Sequence, residues 1–222
     1  MPFQAPPRRY RGTPLRRVLP ATTRLHRVHR RIREATAFSP VVADTLFGGG
    51  RFDPTDGEEH AYFYASLTER TALAEVLLRG LPFNDRGTRV IPRAAVKGRR
   101  LSGVDVTEDL SLLALTTTAE LAAVGQDEWL VQAEPRDYGQ TRGWARWLRE
   151  QAPWAQGLIW SSRRDLGRHT MVLFGDRCLP DILKPAPLPP VDLDDGPGAT
   201  WLNDTLADFR ASVLPPRGSG RA

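Results

Sequence analysis

The residues most able to do chemistry lie between Leu46 and Arg79, in the stretch LFGGGRFDPTDGEEHAYFYASLTERTALAEVLLR. Gly48, Gly49 and Gly50 allow positive φ and a close backbone approach to a ligand. They deliver Arg51, whose planar guanidinium can clamp a phosphate or a carboxylate. An aromatic segment with Tyr62 and Tyr64 on one face follows, and then a helical segment carrying Glu75. A guanidinium and a carboxylate joined by loop, strand and helix make a site for an anionic substrate. Each piece also has a plainer reading. The glycines suit a flexible turn with a solvated arginine. On a helical wheel Leu73, Val76 and Leu77 define the buried side, and Glu75 lies nearly opposite. Glu75 and Arg79 could then form a surface i, i+4 pair worth ~0.3–0.5 kcal/mol. The two tyrosines could stack on a planar ring or simply form half-buried sheet surface.

Outside that stretch the candidates are fewer. Arg27 sits on a strand whose two faces, Leu25-Arg27-His29 and Arg24-His26-Val28, both mix charge with an apolar residue. An inward Arg27 would need a carboxylate or a bound phosphate; otherwise the strand is a wet edge. Ser162 has no nucleophile-elbow pattern, and its hydroxyl suits a turn or a contact to ribose or phosphate. His26, His29, His60 and His169 never adopt metal-ligand spacing, so no metal site is expected. Cys178 stands alone and reads as an inert thiol.

The elements that must position these groups are short and irregularly ordered. Strands are predicted over Arg24–His29, Ala61–Ala65, Gly157–Trp160 and Thr170–Phe174. Ser66 and Glu69 read as a capping box opening a helix that ends near Gly80. Arg89–Val96, at a sheet edge because of Pro92, and Arg99–Val104 read as strands joined by a Lys97–Gly98 turn. Helices are predicted over Glu108–Ala114, Thr118–Val124 and Thr141–Gln151, the last with Trp144, Trp147 and Leu148 on one side. Residues 1–22 read as a basic arm, 23–183 as the domain, and 184–222 as a Pro-rich tail with a short helix within 200–214. The last residues, PPRGSGRA, read as disordered. Helices do not alternate regularly with strands, which favours an α+β fold over a doubly wound parallel sheet. Neither common phosphate-cradling glycine loop is present.

The 222 residues, 41% hydrophobic and 26% charged, suffice for one globular domain with a core. No apolar run is long enough to cross a bilayer, the basic N-terminus has no apolar core, and a single cysteine allows no internal disulfide. A reducing, cytoplasmic setting without a membrane partner is therefore expected. The net charge of +5, almost all from arginine, permits an acidic partner or polyphosphate ligand without demanding nucleic acid. A nucleic-acid binder is the rival class; it would bind with a steep salt dependence, but no helix-turn-helix, zinc finger or RNP-like signature appears.

In order, the segments R-L-H-R-V, G-G-R-F-D-P-x-x-G, A-Y-F-Y-A-x-x-x-x-x-T-A-L-A-E, G-L-I-W-S-S-R-R-D and T-M-V-L-F resemble the RES domain, named for its arginine, glutamate and serine. The resemblance runs from about Arg24 to Asp176. Members are toxin halves of bacterial toxin–antitoxin pairs. The resemblance implies mixed, largely antiparallel sheets with flanking helices, forming an ADP-ribosyltransferase-like cleft for NAD. It implies NAD as substrate, split at the nicotinamide–ribose bond by phosphorolysis or hydrolysis, with inorganic phosphate as co-substrate in the first case and no resident cofactor. ADP-ribosylation of a protein target is the alternative chemistry, and a silent protein- or nucleic-acid-binding domain is the non-catalytic one. The matching positions are Arg27, Arg51, Tyr64, Glu75 and Ser162, with Gly49 and Gly50 at the substrate. An antitoxin partner is implied, and homo-oligomerisation is left open. Two departures stand out. Phe52-Asp53 replaces the family's frequent Trp-Asn, placing a negative charge near a phosphate site, and Ser161 beside Ser162 lets the serine assignment slip by one.

Overall fold

The computed structural model describes residues 5–44 and 48–214. The chain runs through β1 (Arg16–Leu19), β2 (Arg24–Arg30), β3 (Tyr62–Ser66), α1 (Glu69–Leu77), β4 (Arg89–Ile91), α2 (Arg93–Val96), β5 (Arg99–Val106), β6 (Leu110–Leu115), α3 (Thr118–Ala122) and α4 (Trp129–Gln132). It continues through α5 (Tyr138–Gln151), β7 (Gly157–Ser161), β8 (His169–Phe174), β9 (Leu183–Pro185), β10 (Val191–Asp192), α6 (Gly196–Thr205) and β11 (Ala211–Val213). The main sheet has nine strands in the order β1-β6-β7-β8-β3-β2-β5-β10, with β9 also on β5. Only β6 and β7 run parallel within it. β4 and β11 form a separate parallel pair. The mixed, mostly antiparallel sheet with flanking helices is the α+β fold expected from the sequence.

Apolar alternation along β3, β7 and β8 divides the packing. One face buries Trp160, Val172 and Phe174 against Trp144 and Leu148 of α5. The other buries Phe63, Ile159, Met171 and Leu173 with Leu25 and Val104. A third cluster joins Leu73 and Leu77 of α1 to Leu101 of β5 and Leu202 and Leu206 near α6. Each fully buried Leu or Phe contributes ~1.5–3 kcal/mol to the folded state.

Several expectations change. Glu108–Ala114 is not a helix: its leucine run forms β6 between β1 and β7, buried on both faces. A continuous apolar run of this length fits such a strand as well as a helix turn. Pro92 ends β4 and caps α2, so β4 and β5 make no hairpin. Arg16–Leu19, placed in an arm, form β1 against β6. The segment after 184 is built into the fold: β9 and β10 cover the outer edge of β5, and β11 pairs with β4. The helix expected in 200–214 starts earlier, at Gly196, and gives way to β11. The tail PPRGSGRA, like Leu46, lies outside the described residues.

One detail of the sheet makes the site. β2 pairs with β5 along its whole length, so it is no edge strand. With β3 it shares a single residue pair, His26 and Ser66. Beyond that rung Val28 and Arg30 stand apart from Tyr64 and Tyr62, and a cleft occupies the gap.

Candidate active site

The cleft has a narrow inner chamber of about 60 Å³, walled by Arg51, Tyr64, Glu75, Tyr138 and Trp160. It opens into a basin of about 490 Å³. Arg27, Val28, Tyr64, Val76 and Arg79 line both, so the two are continuous.

Glu75 enters from α1. Thr68, not Ser66, caps that helix, its hydroxyl accepting from Thr71 N at 3.2 Å. Ser66 instead ends β3, buried, and donates to Thr170 Oγ1 at 3.1 Å. Glu75 is not paired with Arg79. Its Oε1 accepts from Ser162 Oγ at 2.6 Å. The Ser162 hydroxyl also accepts from Arg164 N at 3.1 Å and Asp165 N at 3.0 Å. Its single proton is thus committed to the carboxylate. The neighbouring Ser161 hydroxyl donates to Thr116 O and never meets Glu75. Asp165, 6% exposed, accepts from Thr71 Oγ1 at 2.7 Å. Thr71 and Glu75 are i, i+4 neighbours on one face of α1, so the turn after β7 clamps that helix face twice.

Arg51 is 5% exposed, which rules out a solvated arginine. One Nη donates to Ala133 O at 3.3 Å, while Nε has no partner. Burial lowers the Arg51 pKa, opposed by Tyr138, Glu75 and Tyr64. Its guanidinium lies 5.4 Å from the centre of the Tyr138 ring, and that of Arg79 lies 5.7 Å from it. The glycine loop behind Arg51 is held from α5. Arg142, 2% exposed, donates to the carbonyls of Asp44, Gly48 and Gly50, and Thr141 Oγ1 donates to Arg51 O at 2.6 Å. Gly49 has φ +65°, and a Cβ there would lie 2.8–2.9 Å from Ala43, Asp53 and Arg142. At Gly50 a Cβ would lie 2.5 Å from Asp53 and 2.8 Å from the Tyr64 hydroxyl.

Asp53 does not face a substrate phosphate as a free charge. It is 4% exposed, and one carboxylate oxygen accepts from Gly50 N at 2.6 Å, closing the loop. Phe52 is core, edge-on to Trp160 with centroids 4.9 Å apart. Tyr64 accepts from Phe52 N at 3.0 Å through its hydroxyl; burial first and the Asp53 carboxylate second raise its pKa well above the ordinary value. Tyr62 and Tyr64 meet edge to face at 82°, so they form no flat platform.

Arg27 lies inward without a carboxylate. Its Nη1 donates to Ala35 O at 3.2 Å and Ala37 O at 2.6 Å, and its guanidinium lies 4.2 Å from the Phe63 ring centre. Nε is unpartnered, and burial lowers the pKa to about 10. Arg27 and Arg51 thus each bury an Nε that has no hydrogen-bond partner. Burial pushes the Cys178 thiol up to about 12, outside the range of a reactive thiolate.

The structure thus gathers Arg27, Arg51, Tyr64, Glu75, Ser162, Gly49 and Gly50 around one cleft. Thr71, Tyr138, Thr141, Arg142 and Asp165 support them and were not singled out from the sequence. Their only local signal is the polar spacing of Tyr138, Thr141 and Arg142 along one helix side.

Residues 24–194, roughly three-quarters of the chain, match the model of the RES domain family. Among solved structures, a chain of the M. tuberculosis MbcT–MbcA toxin–antitoxin complex is similar in fold. Its TM-score is 0.57 and its identity 21%, with 86% of this chain and 92% of that chain covered. No curated protein matches the sequence.

Proposed function

We propose, since this chain belongs to the RES domain family, that it is the toxin of a toxin–antitoxin pair and acts by cleaving NAD between nicotinamide and ribose. The observation that carries the reading is the Ser162–Glu75 hydrogen bond of 2.6 Å, which fixes a carboxylate in the chamber that also holds buried Arg51.

Expulsion of nicotinamide takes the bonding electron pair with the ring nitrogen and leaves positive charge on the ribose. A fixed carboxylate stabilises that charge more as it develops than in the ground state. Glu75 has this role, and Ser162 orients it. Arg51 and Arg27 hold the pyrophosphate through charge-assisted hydrogen bonds, and Tyr64 walls the nicotinamide. When an oxygen of inorganic phosphate bonds to the ribose carbon, the products are nicotinamide and ADP-ribose 1″-phosphate. When water attacks, they are nicotinamide and ADP-ribose. A nucleophile on a protein target would give ADP-ribosylation in the same geometry. The partner is an inhibitor protein that fills or covers the cleft; the structure of similar fold comes from a toxin–antitoxin complex, which supports seeking one.

The test is nicotinamide release from NAD by the purified chain, with and without inorganic phosphate. Release by the wild type and its loss in Glu75→Ala are expected. No release by the wild type under either condition would sink the NAD reading.

A further inference from the structure

The outer basin carries more positive charge than a plain dinucleotide can use. Besides Arg27 and Arg79, it is lined by Arg30, Arg33 and Arg99, and Asp53 is the one carboxylate among its lining residues. One oxygen of that carboxylate accepts from Gly50 N, and the other is buried without a partner. Arg30 and Arg99 are direct register partners across β2 and β5, so two like charges stand side by side on one face. Such a pair is destabilising without a counter-charge. The carboxylates of the adjoining strand and loop, Asp192 and Asp194, are engaged by Arg31 and Arg100. Among the described residues Arg30, Arg33 and Arg99 form no ion pair. Burial, then Arg30 and Arg79, lowers the pKa of Arg99. All three residues line the basin, which is continuous with the inner chamber; Arg30 and Arg33 are exposed and Arg99 is half-buried.

Resting on the NAD-cleaving reading, the charge accounting is direct. The pyrophosphate faces Arg27 and Arg51, with Arg79 beside them. Beyond its pyrophosphate, NAD has no further phosphate to meet Arg30, Arg33 and Arg99. A phosphomonoester on the adenosine end would supply ≈ −1.5 to −2 charges at neutral pH and three acceptor oxygens. We propose that Arg30, Arg33 and Arg99 form a second anion subsite for the 2′-phosphate of a phosphorylated dinucleotide, so that the chain acts on NADP in preference to NAD.

The experiment compares ADP-ribose 2′-phosphate with ADP-ribose in binding titrations on the full chain, and NADP with NAD in nicotinamide release. The phosphorylated ligand is expected to bind about tenfold tighter or more, as one or two charge-assisted contacts would give. In Arg33→Gln/Arg99→Gln that preference should collapse, with ADP-ribose affinity and NAD turnover little changed. Equal wild-type affinities for the two ligands would overturn the proposal. So would a double variant that weakens both ligands equally. If inorganic phosphate accelerates NAD cleavage and the double variant removes that acceleration instead, the basin serves free phosphate and the 2′-phosphate assignment fails. Discrimination in binding without nicotinamide release from either dinucleotide would leave the subsite standing and reject the cleavage reading.

Discussion

Ser162 lies 87 positions beyond Glu75, yet its one proton goes to that carboxylate. Hydrogen bonds to charged groups contribute ~1.5–3 kcal/mol. If that orientation matters in the transition state, Ser162→Ala should lower kcat for nicotinamide release roughly 10- to 100-fold with KM little moved. Ser162→Thr, which keeps a hydroxyl, should recover part of the loss. An unchanged kcat in the alanine variant would remove the serine from the mechanism. Glu75→Gln keeps the size and loses the charge, and should cost about 10²–10³ in kcat, the scale found when one electrostatic stabiliser is removed. Asp53 was expected to weaken a phosphate site by its charge. Buried and bonded to Gly50 N, it reads instead as a loop closure, as an asparagine could be through its side-chain oxygen. Asp53→Asn keeps an oxygen for Gly50 N and should therefore change NAD affinity by less than about threefold.

At the level of elements, the site is a loop and a helix, each held from behind. α1 is clamped by Asp165 through Thr71, and Arg70 extends the tie to Asp208 at 3.1 Å, just before β11. Asp165→Ala leaves a buried threonine hydroxyl without its acceptor and frees one face of α1. Thermal stability should fall by ~1–3 kcal/mol and kcat should fall further than KM rises, whereas Asp165→Asn should restore both in part. Equal losses of kcat in both variants, tracking stability alone, would mark Asp165 as structural only. β3 was legible from its alternating faces, β7 and β8 as short apolar runs on either side of a polar turn, and Arg51, Glu75 and Ser162 from the order of the segments that carry them. Asp165 and Arg142 were not, because their partners are 94 and 92 to 98 positions away and no local pattern encodes such pairings. β6 was missed for a different reason: a strand buried on both faces reads as a continuous apolar run, and the run LSLLAL fits a buried helix turn as well as a strand.

Over the whole molecule, all four histidines have pKa values lowered from 6.5, with burial as the first cause in each. His29 shows why: it is 6% exposed, with Ser102 Oγ 2.8 Å from Nε2 and the Arg30 carbonyl 3.0 Å from Nδ1, beside Arg27 and Arg100. Below pH 6.5 the unfolded chain binds more protons at these sites than the folded one. Stability from them is complete above 6.5 and is lost as pH falls toward the lowered folded values. Urea midpoints should therefore drop as the pH falls below about 6.5, and His29→Gln should flatten that slope; a flat wild-type profile would contradict the burial argument. The C-terminal residues beyond the family match contribute Leu202, Leu206, Ala211 and Val213 to the cluster under α1. Removing everything after 194 should cost several kcal/mol of stability, read as a lower melting temperature, together with activity.

A sheet that stays joined by one rung and then parts gives the molecule a slot whose width belongs to the main chain. Its walls can be repainted without rebuilding the slot. Exchanging the cations at the rim would then retune which nucleotide is admitted while the folded scaffold stays the same, so descendants of such a protein can change diet by a few surface mutations.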